Sequence, residues 1–520
     1  MPLFTAQVRH GQSLGFLVLG ATLHDILTRL KAEPQNFPRL DLTYDHAAPV
    51  TEPVVLELPS NGLRLRFDGP EQRLRLIEVL DFTKSHLTYN DKDVLRPAPA
   101  NGAGLPPVAS ASGPTYKYIC QRLVAPAFPG EYVEPAPGDE TGVGHYVLSY
   151  PGLAFTFPIK SSSWSPAKID SILNSSVSPQ ASSMAIFRGQ SWPAAREHLY
   201  TEMVDPSETF TALFRKKESV PAEVRIVKIY GEGRLELVRS SSHGPVWLQL
   251  GQTTPQELVA ELGPPDAIYR KSDRRMSIHK PRRGTGTPNR PDMNDLRLQD
   301  DSTDTDQSSA HTATDDSDEE TEEGEVAGNL SGECFYNYFY HGFDILVSSP
   351  TPPSQAPPSK SSVTAESENM PTDSSSRLVA SKIILHGNVP GSYPFNRHRR
   401  CRWEIQYLQP KKGQAIVNSE TPFKDIESGL HHEWKSIYNN EEEAKALQRG
   451  MVLNRDWGDS PGSSCELLGG WEDSVGGKRP DAVAAGGDDV KGLGNTTLFG
   501  FPGLVFEVLK NGTVSGVTVF

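Results

Sequence analysis

The sequence predicts an α+β protein: repeated units of one helix plus antiparallel strands and hairpins, sharing a composite core and carrying long disordered insertions. Three observations lead there. Four glycine-led stretches alternate apolar and polar residues in the manner of half-buried strands. Several helix starts carry a threonine cap. Long tracts between these elements have compositions that cannot bury a core.

The clearest strand signal is Asn61–Val79. Leu63, Leu65 and Phe67 alternate with Arg64, Arg66 and Asp68, and Leu74, Leu76 and Glu78 then sit opposite Arg73, Arg75 and Ile77. With Asp68-Gly69-Pro70 between the runs, this reads as an antiparallel hairpin with one buried face. Tyr150–Phe157, Tyr340–Val347 and Phe501–Val508 repeat the glycine-then-alternation pattern. A second apolar strand follows three of the four, at Leu74–Leu80, Val379–His386 and Thr513–Phe520. The leading glycine is expected in a turn at positive φ. Recurrence of this kind points to duplicated supersecondary units.

Residues 1–96 form the first expected unit. Thr22 caps a helix whose Leu23, Ile26, Leu27 and Leu30 share one face, and strands at Leu42–Tyr44 and Val54–Leu58 precede the hairpin. Residues 97–114, rich in Pro, Ala, Gly and Ser, read as a linker. The second unit spans 115–239, with a short helix at Tyr116–Leu123 and a hairpin around Gly231-Glu232-Gly233. The third, 247–408, opens with a capping box: Thr254 caps, Pro255 starts the helix, Glu257 returns to the cap and Gly263 ends it. It is interrupted by expected disordered inserts at 284–330 and 348–377. The fourth, 421–520, starts a helix at Thr421-Pro422, carries an insert at 455–494 and closes on a hairpin at Asn511-Gly512.

The 520 residues are only 36% hydrophobic and include 43 Pro and 44 Gly, so part of the chain lies outside any packed core. The net charge of −14 is concentrated: Asp300–Glu325 holds twelve acidic residues and no Lys or Arg, which leaves about −2 for the rest. A near-neutral body with an acidic insert is not a general nucleic-acid binder. The cysteines, Cys120, Cys334, Cys401 and Cys465, are scattered without zinc spacing and read as reduced thiols of a cytoplasmic protein. No run is long and apolar enough to span a bilayer.

The sequence offers no phosphate loop, dinucleotide fingerprint, nucleophile elbow or metalloprotease motif. His431-His432 are adjacent and point different ways on a helix. No catalytic, cofactor or metal residue is assigned, and neither an enzyme nor a small-molecule substrate is expected. Two basic stretches are candidates for anion recognition. One is Arg397, Arg399, Arg400 and Arg402, a lipid or partner patch beside Trp403; the other is Arg270, Lys271, Arg274 and Arg275, continuing to Arg283. The alternative for each is a solvated loop, or for the second an internal partner of the acidic tract. Ser317, followed by Asp318-Glu319-Glu320, is a candidate phosphorylation site.

Several blocks, in order, resemble the phagosome assembly factor 1 family. They are LGATLHDIL, VVLELPSNGLRLRFDGPEQRLRLIEVLDFTKSHLTY, LGQTTPQELVAELGPPDAIYRKSDRRMSIH, YNYFYHGFDILV, SKIILHGNVPGSYPFNRHRRCRWEI and GLVFEVLKNGTVSGVTVF. The inserts set the chain apart from the shorter animal form and suggest a fungal-type member. The resemblance implies a non-enzymatic autophagy factor, cytoplasmic and recruited to the phagophore assembly site, with a Golgi association as a further expectation. It implies a protein partner of the phosphoinositide-binding WD-repeat β-propeller type. Direct phosphoinositide binding through the 397–402 arginines, with peripheral membrane association, is the alternative.

Overall fold

The computed structural model describes residues 3–95, 112–124, 130–135, 142–165, 179–201, 222–239, 244–270, 333–350, 377–408, 416–438, 440, 450–453 and 496–520. The fold is α+β, dominated by antiparallel sheet. The chain starts with β1 (Phe4–Arg9), β2 (Ser13–Leu14) and β3 (Leu17–Val18), then α1 (Leu23–Ala32). Next come β4 (Asp41–Thr43), β5 (Val54–Leu58), β6 (Leu63–Phe67), β7 (Leu74–Val79), β8 (Ser85–Tyr89) and β9 (Lys92–Asp93). Helix α2 (Tyr116–Tyr118), extended by a π-turn to Leu123, leads into β10 (Glu131–Val133), β11 (Val143–Tyr150), β12 (Leu153–Lys160), β13 (Ser183–Phe187) and α3 (Trp192–Glu197).

The chain continues with β14 (Val224–Gly231), β15 (Arg234–Arg239), β16 (Val246–Gln249) and α4 (Pro255–Leu262). Then follow β17 (Ala267–Arg270), β18 (Cys334–Tyr338), β19 (Phe343–Ser348), β20 (Val379–His386) and β21 (Trp403–Ile405). Helix α5 (Phe423–Glu433) and β22 (Met451–Leu453), β23 (Thr496–Phe501), β24 (Leu504–Leu509) and β25 (Val514–Val519) complete it.

Residues 3–201 and 222–520 follow one order of elements. Each has three short antiparallel strands, a helix, a four-strand meander, a strand returning parallel to the first, a second helix and a second meander. The two meanders of each half join through their last strands into an eight-stranded sheet. The orders are β10-β11-β12-β13-β7-β6-β5-β4 and β17-β18-β19-β20-β25-β24-β23-β22. The four glycine-led strands, β12, β6, β19 and β24, are third and sixth in these two sheets. The hairpin β14–β15 pairs with β16 and, through β14, with β21 in the second half.

Local chemistry accounts for the elements. The Thr22 hydroxyl accepts the Asp25 amide at 3.2 Å, and Leu23, Ile26, Leu27 and Leu30 are buried on one face of α1. Thr254 and Glu257 form the reciprocal capping box of α4. The leading glycines Gly62, Gly152, Gly342 and Gly503 have φ of 67°, 73°, 82° and 75°. At Gly62, Gly152 and Gly342 a side chain would also collide: a methyl group on Gly62 would lie 2.6 Å from the Asp81 carbonyl oxygen.

One expectation is corrected. Alternation alone put Leu74 and Leu76 on one face of β7, opposite Ile77. A bulge between Arg66 and Phe67 shifts the register, so Leu74 joins Ile77 and Val79 in the main core while Leu76 faces outward. Leu76 is buried there by α3, with Val147, Ala154 and Phe187. The core consists of two large clusters, one for each half, and two small ones, of which Val50, Val389 and Leu509 join the halves. Period-2 patterns report which face is buried but not which sheet covers it. Strands β1 and β8 and helix α3 were not anticipated, although Phe4, Ala6 and Val8 alternate cleanly with exposed Thr5, Gln7 and Arg9.

Gly512 has φ 80° and open space around it, so Gly512→Ala should cost roughly 1–2 kcal/mol from backbone strain alone. Gly62→Ala should cost about 1–3 kcal/mol more, because it adds a backbone collision. Urea unfolding of the two variants beside the parent checks the difference.

Candidate functional site

Residues 387–402 link β20 to β21 and run between the two halves. Asn388, at φ 45°, and Gln72, at φ 52°, lock one another in place. The Gln72 amide donates to the Asn388 carbonyl and the Asn388 amide donates to the Gln72 side-chain oxygen, both at 2.8 Å. Phe395 packs against the first-half core. The Asn396 amide donates to the Asn388 side chain at 2.7 Å and so closes the segment on itself.

Three of the four arginines of this segment point inward. Arg399 makes a two-pronged pair with Asp25 of α1, its Nε donating at 2.9 Å, and its guanidinium lies over the Tyr340 ring at 3.8 Å. Glu223, just before β14, is paired with Arg73 of the β6–β7 turn and lies 3.7 Å from Arg399. Arg400 donates to the Pro70 carbonyl at 2.8 Å, to the Gly387 carbonyl at 2.7 Å and to Glu420 at 3.1 Å. Arg402 donates to both oxygens of Glu420, at 3.0 and 3.2 Å, and lies 3.6 Å from Glu71. Arg75 pairs with the buried Asp68. The whole forms a seam of alternating charge largely closed to water.

Burial alone would push the carboxyl of Asp25 up, but Arg399 and the neighbouring His24 hold it well below the ordinary range. Glu223 is lowered in the same way: burial opposes ionisation, and Arg73 and Arg399 outweigh it. Glu420 is held down against its burial by Arg402 and Arg400. His341 sits under the seam, stacked on Phe343, and its Nδ1 faces the Val224 amide at 3.5 Å. Burial and the positive Arg399 push its imidazole down to about 4, so it is neutral at physiological pH. Gly342 lets the backbones meet here, since a methyl group on it would lie 2.4 Å from the Arg399 carbonyl oxygen.

Beside the seam, Asp344 accepts from His386 at 2.8 Å and from His398 at 3.1 Å. Donor atoms of these three residues lie within 4.8 Å of one another, as metal ligands would. The imidazoles are stacked face to face, centroids 3.8 Å apart and planes inclined by 16°. In-plane lone pairs of nearly parallel rings run side by side instead of converging on one ion. The carboxylate takes one hydrogen bond from each ring, and the group serves as a hydrogen-bonded brace. Burial lowers the affinity of His398 for a second proton.

Of the sequence candidates, Arg399 and Arg400 are therefore buried in internal pairs, Arg402 is a quarter exposed and paired, and Arg397 is exposed against the Tyr393 ring. The four do not form a common surface patch. Composition shows a basic run but not the carboxylates that meet it, one of them 374 residues away in sequence. Arg270 ends the exposed β17. Lys271, Arg274, Arg275, Lys280, Arg282, Arg283 and Ser317 lie outside the described residues. The Asp344–His386–His398 group was not visible in the sequence, because its members are brought together by strand pairing and have no local spacing.

Removing one member of the seam should cost more than removing a pair. Asp25→Asn leaves Arg399 short of a carboxylate, and a loss of about 3–5 kcal/mol is expected. Asp25→Leu with Arg399→Leu should cost less than the two single changes added together, which a double-mutant cycle by urea unfolding reads directly.

Stability should also depend on pH in two stages. Between pH 6.5 and 4 the unfolded chain protonates His341 and the folded chain does not, so stability falls as pH falls, by roughly 3 kcal/mol over that window. The depressed carboxylates Asp25, Glu223 and Glu420 contribute stability above their ordinary pKa near 4, lost as pH falls through their folded values. In unfolding curves at stepped pH, His341→Gln should flatten the first stage and leave the second.

The chain is 22% identical over 519 residues to a PHAF1 protein of Arabidopsis thaliana, covering 99% of this chain and 92% of the relative. A Drosophila melanogaster PHAF1 protein is 20% identical over 97% of this chain and 90% of its own length. One from Caenorhabditis elegans is 23% identical over 78% and 77%. No solved structure gives a significant match. The family described as phagosome assembly factor 1 matches residues 13–294 and 372–520, which takes in both halves and the charged seam between them. The chain therefore belongs to the phagosome assembly factor 1 family.

Proposed function

We propose that this protein is a non-enzymatic adaptor in phagosome and autophagosome assembly, acting at the sites where these membranes form through a protein partner of the β-propeller type. The observation that carries the reading is the family match over both halves of the chain. The site chemistry supports it. The arginines and carboxylates of the seam are matched to one another, where they hold the halves in register. Burial of Arg399 and Arg400 also favours a partner-based role over direct binding of lipid headgroups by the 397–402 segment. Exposed apolar side chains are available on the second sheet, including Ile268 and Tyr269 on β17 and Met451 and Val452 on β22.

Affinity purification of the tagged chain from starved and fed cells, with mass spectrometry, tests the reading. Recovery of a β-propeller protein together with autophagy factors under starvation is the expected result. Recovery of metabolic enzymes alone would overturn it. Flotation of the purified chain with phosphoinositide liposomes should show no salt-sensitive binding.

A further inference from the structure

The pairing ladders of the two eight-stranded sheets align strand by strand, and the outer faces differ at several matched positions. The ladder places Arg64 opposite Glu78 in the first sheet and Val505 opposite Thr518 in the second, each one residue after its first core residue, Leu63 or Leu504. Ala185, beside Glu78, corresponds to Ile384, beside Thr518. The first sheet fills this region with paired charges, Arg64 with Glu57 at 2.9 Å and Arg66 with Glu78 at 2.7 Å. It covers the neighbouring apolar part with its own helix α3, whose Trp192 ring lies 5.2 Å from that of Phe187. In the second sheet the same region is an apolar cleft of about 460 Å³, lined by Phe335, Lys382, Ile384, Val505, Thr518 and Phe520.

We propose that this cleft receives an amphipathic helix of the protein partner, carrying an apolar stripe and a carboxylate placed to meet Lys382. The inference rests on the adaptor reading and names its docking surface. The lining strands β18, β20, β24 and β25 all have hydrogen-bonded neighbours on both sides, so no backbone edge is free for an added strand. The face offers side chains only, and a helix presents a matching stripe of them. Helix α3 on the first sheet is this chain's own instance of that packing. Lys382 is the one charged lining residue. Its ammonium group lies 5.8 Å from the Phe520 ring and forms no salt bridge among the described residues.

The test uses the full-length chain and a set of synthetic 18-residue helices with one Leu/Trp stripe and Glu or Lys at its flanks, plus a proline-broken control. The Glu-flanked helix should bind, and the control should not. Val505→Glu should weaken binding by about tenfold or more, by putting a carboxylate into the apolar contact and in competition for Lys382. Lys382→Glu, at a half-exposed position, should reverse the preference to the Lys-flanked helix, and unfolding curves identify a variant that fails to fold. Binding indifferent to flank charge, or unchanged by both substitutions, would overturn the proposal. So would a dimer of this chain dissolved by Val505→Glu, or acyl-chain binding lost with it. In cells, a propeller partner recovered equally by parent and Val505→Glu chains would reject this surface and leave the adaptor role standing. A partner recovered by neither would reject the role itself.

Discussion

The pairing of Arg399 with Asp25 and Glu223 is the constraint on which the arrangement of the halves depends. A guanidinium and two carboxylates removed from water lose solvation that only close, well-aligned partners restore. Such pairs add little net stability compared with an apolar contact of the same size, but they heavily penalise any arrangement that leaves a member alone. Arg399 also places its carbonyl against Gly342, its amide against the Phe339 carbonyl and its guanidinium over Tyr340. One residue thereby joins helix α1 of the first half to the turn before β19 in the second. The reciprocal Gln72–Asn388 amides hold the next turn along in the same way, through residues whose positive φ would otherwise be unfavourable.

That seam explains how the chain tolerates its long interruptions. Residues 271–332 separate β17 from β18, 351–376 separate β19 from β20, and 454–495 separate β22 from β23. Each pair consists of hydrogen-bonded neighbours. Closing a loop costs free energy that grows only with the logarithm of its length, about 0.6 kcal/mol per doubling. An insertion between adjacent strands therefore leaves the ladder, the core and the seam unchanged. The segment 387–402, which carries the seam, lies between β20 and β21 and has no such interruption.

How legible each feature was in the sequence follows the range of the forces involved. Helix α4 was readable nearly to the residue, because Thr254, Pro255, Glu257 and Gly263 act within one turn. The glycines before β6, β12, β19 and β24 were readable as positive-φ positions, since a turn's geometry is local. The facing of β7 was not, because one bulged residue, Arg75 opposite the Arg66–Phe67 step, inverts what alternation implies. The role of Arg399 and Arg400 was least legible. A basic run looks the same in a sequence whether water, lipid or buried carboxylates surround it, and Asp25, Glu223 and Glu420 are brought to it only by the fold.

The two outer faces differ in how charge is placed on them. In the first half, Arg64, Arg66, Glu57 and Glu78 satisfy one another on the sheet surface, and α3 closes what is left apolar. In the second sheet Arg64 and Glu78 are matched by Val505 and Thr518, Glu57 by Gly500, and only Arg66 by another charged residue, Glu507. A self-contained protein could have kept both faces polar at little energetic cost, since surface ion pairs are worth little either way. A partly exposed apolar face beside a lysine with no ion pair among the described residues gains stability only when something covers it.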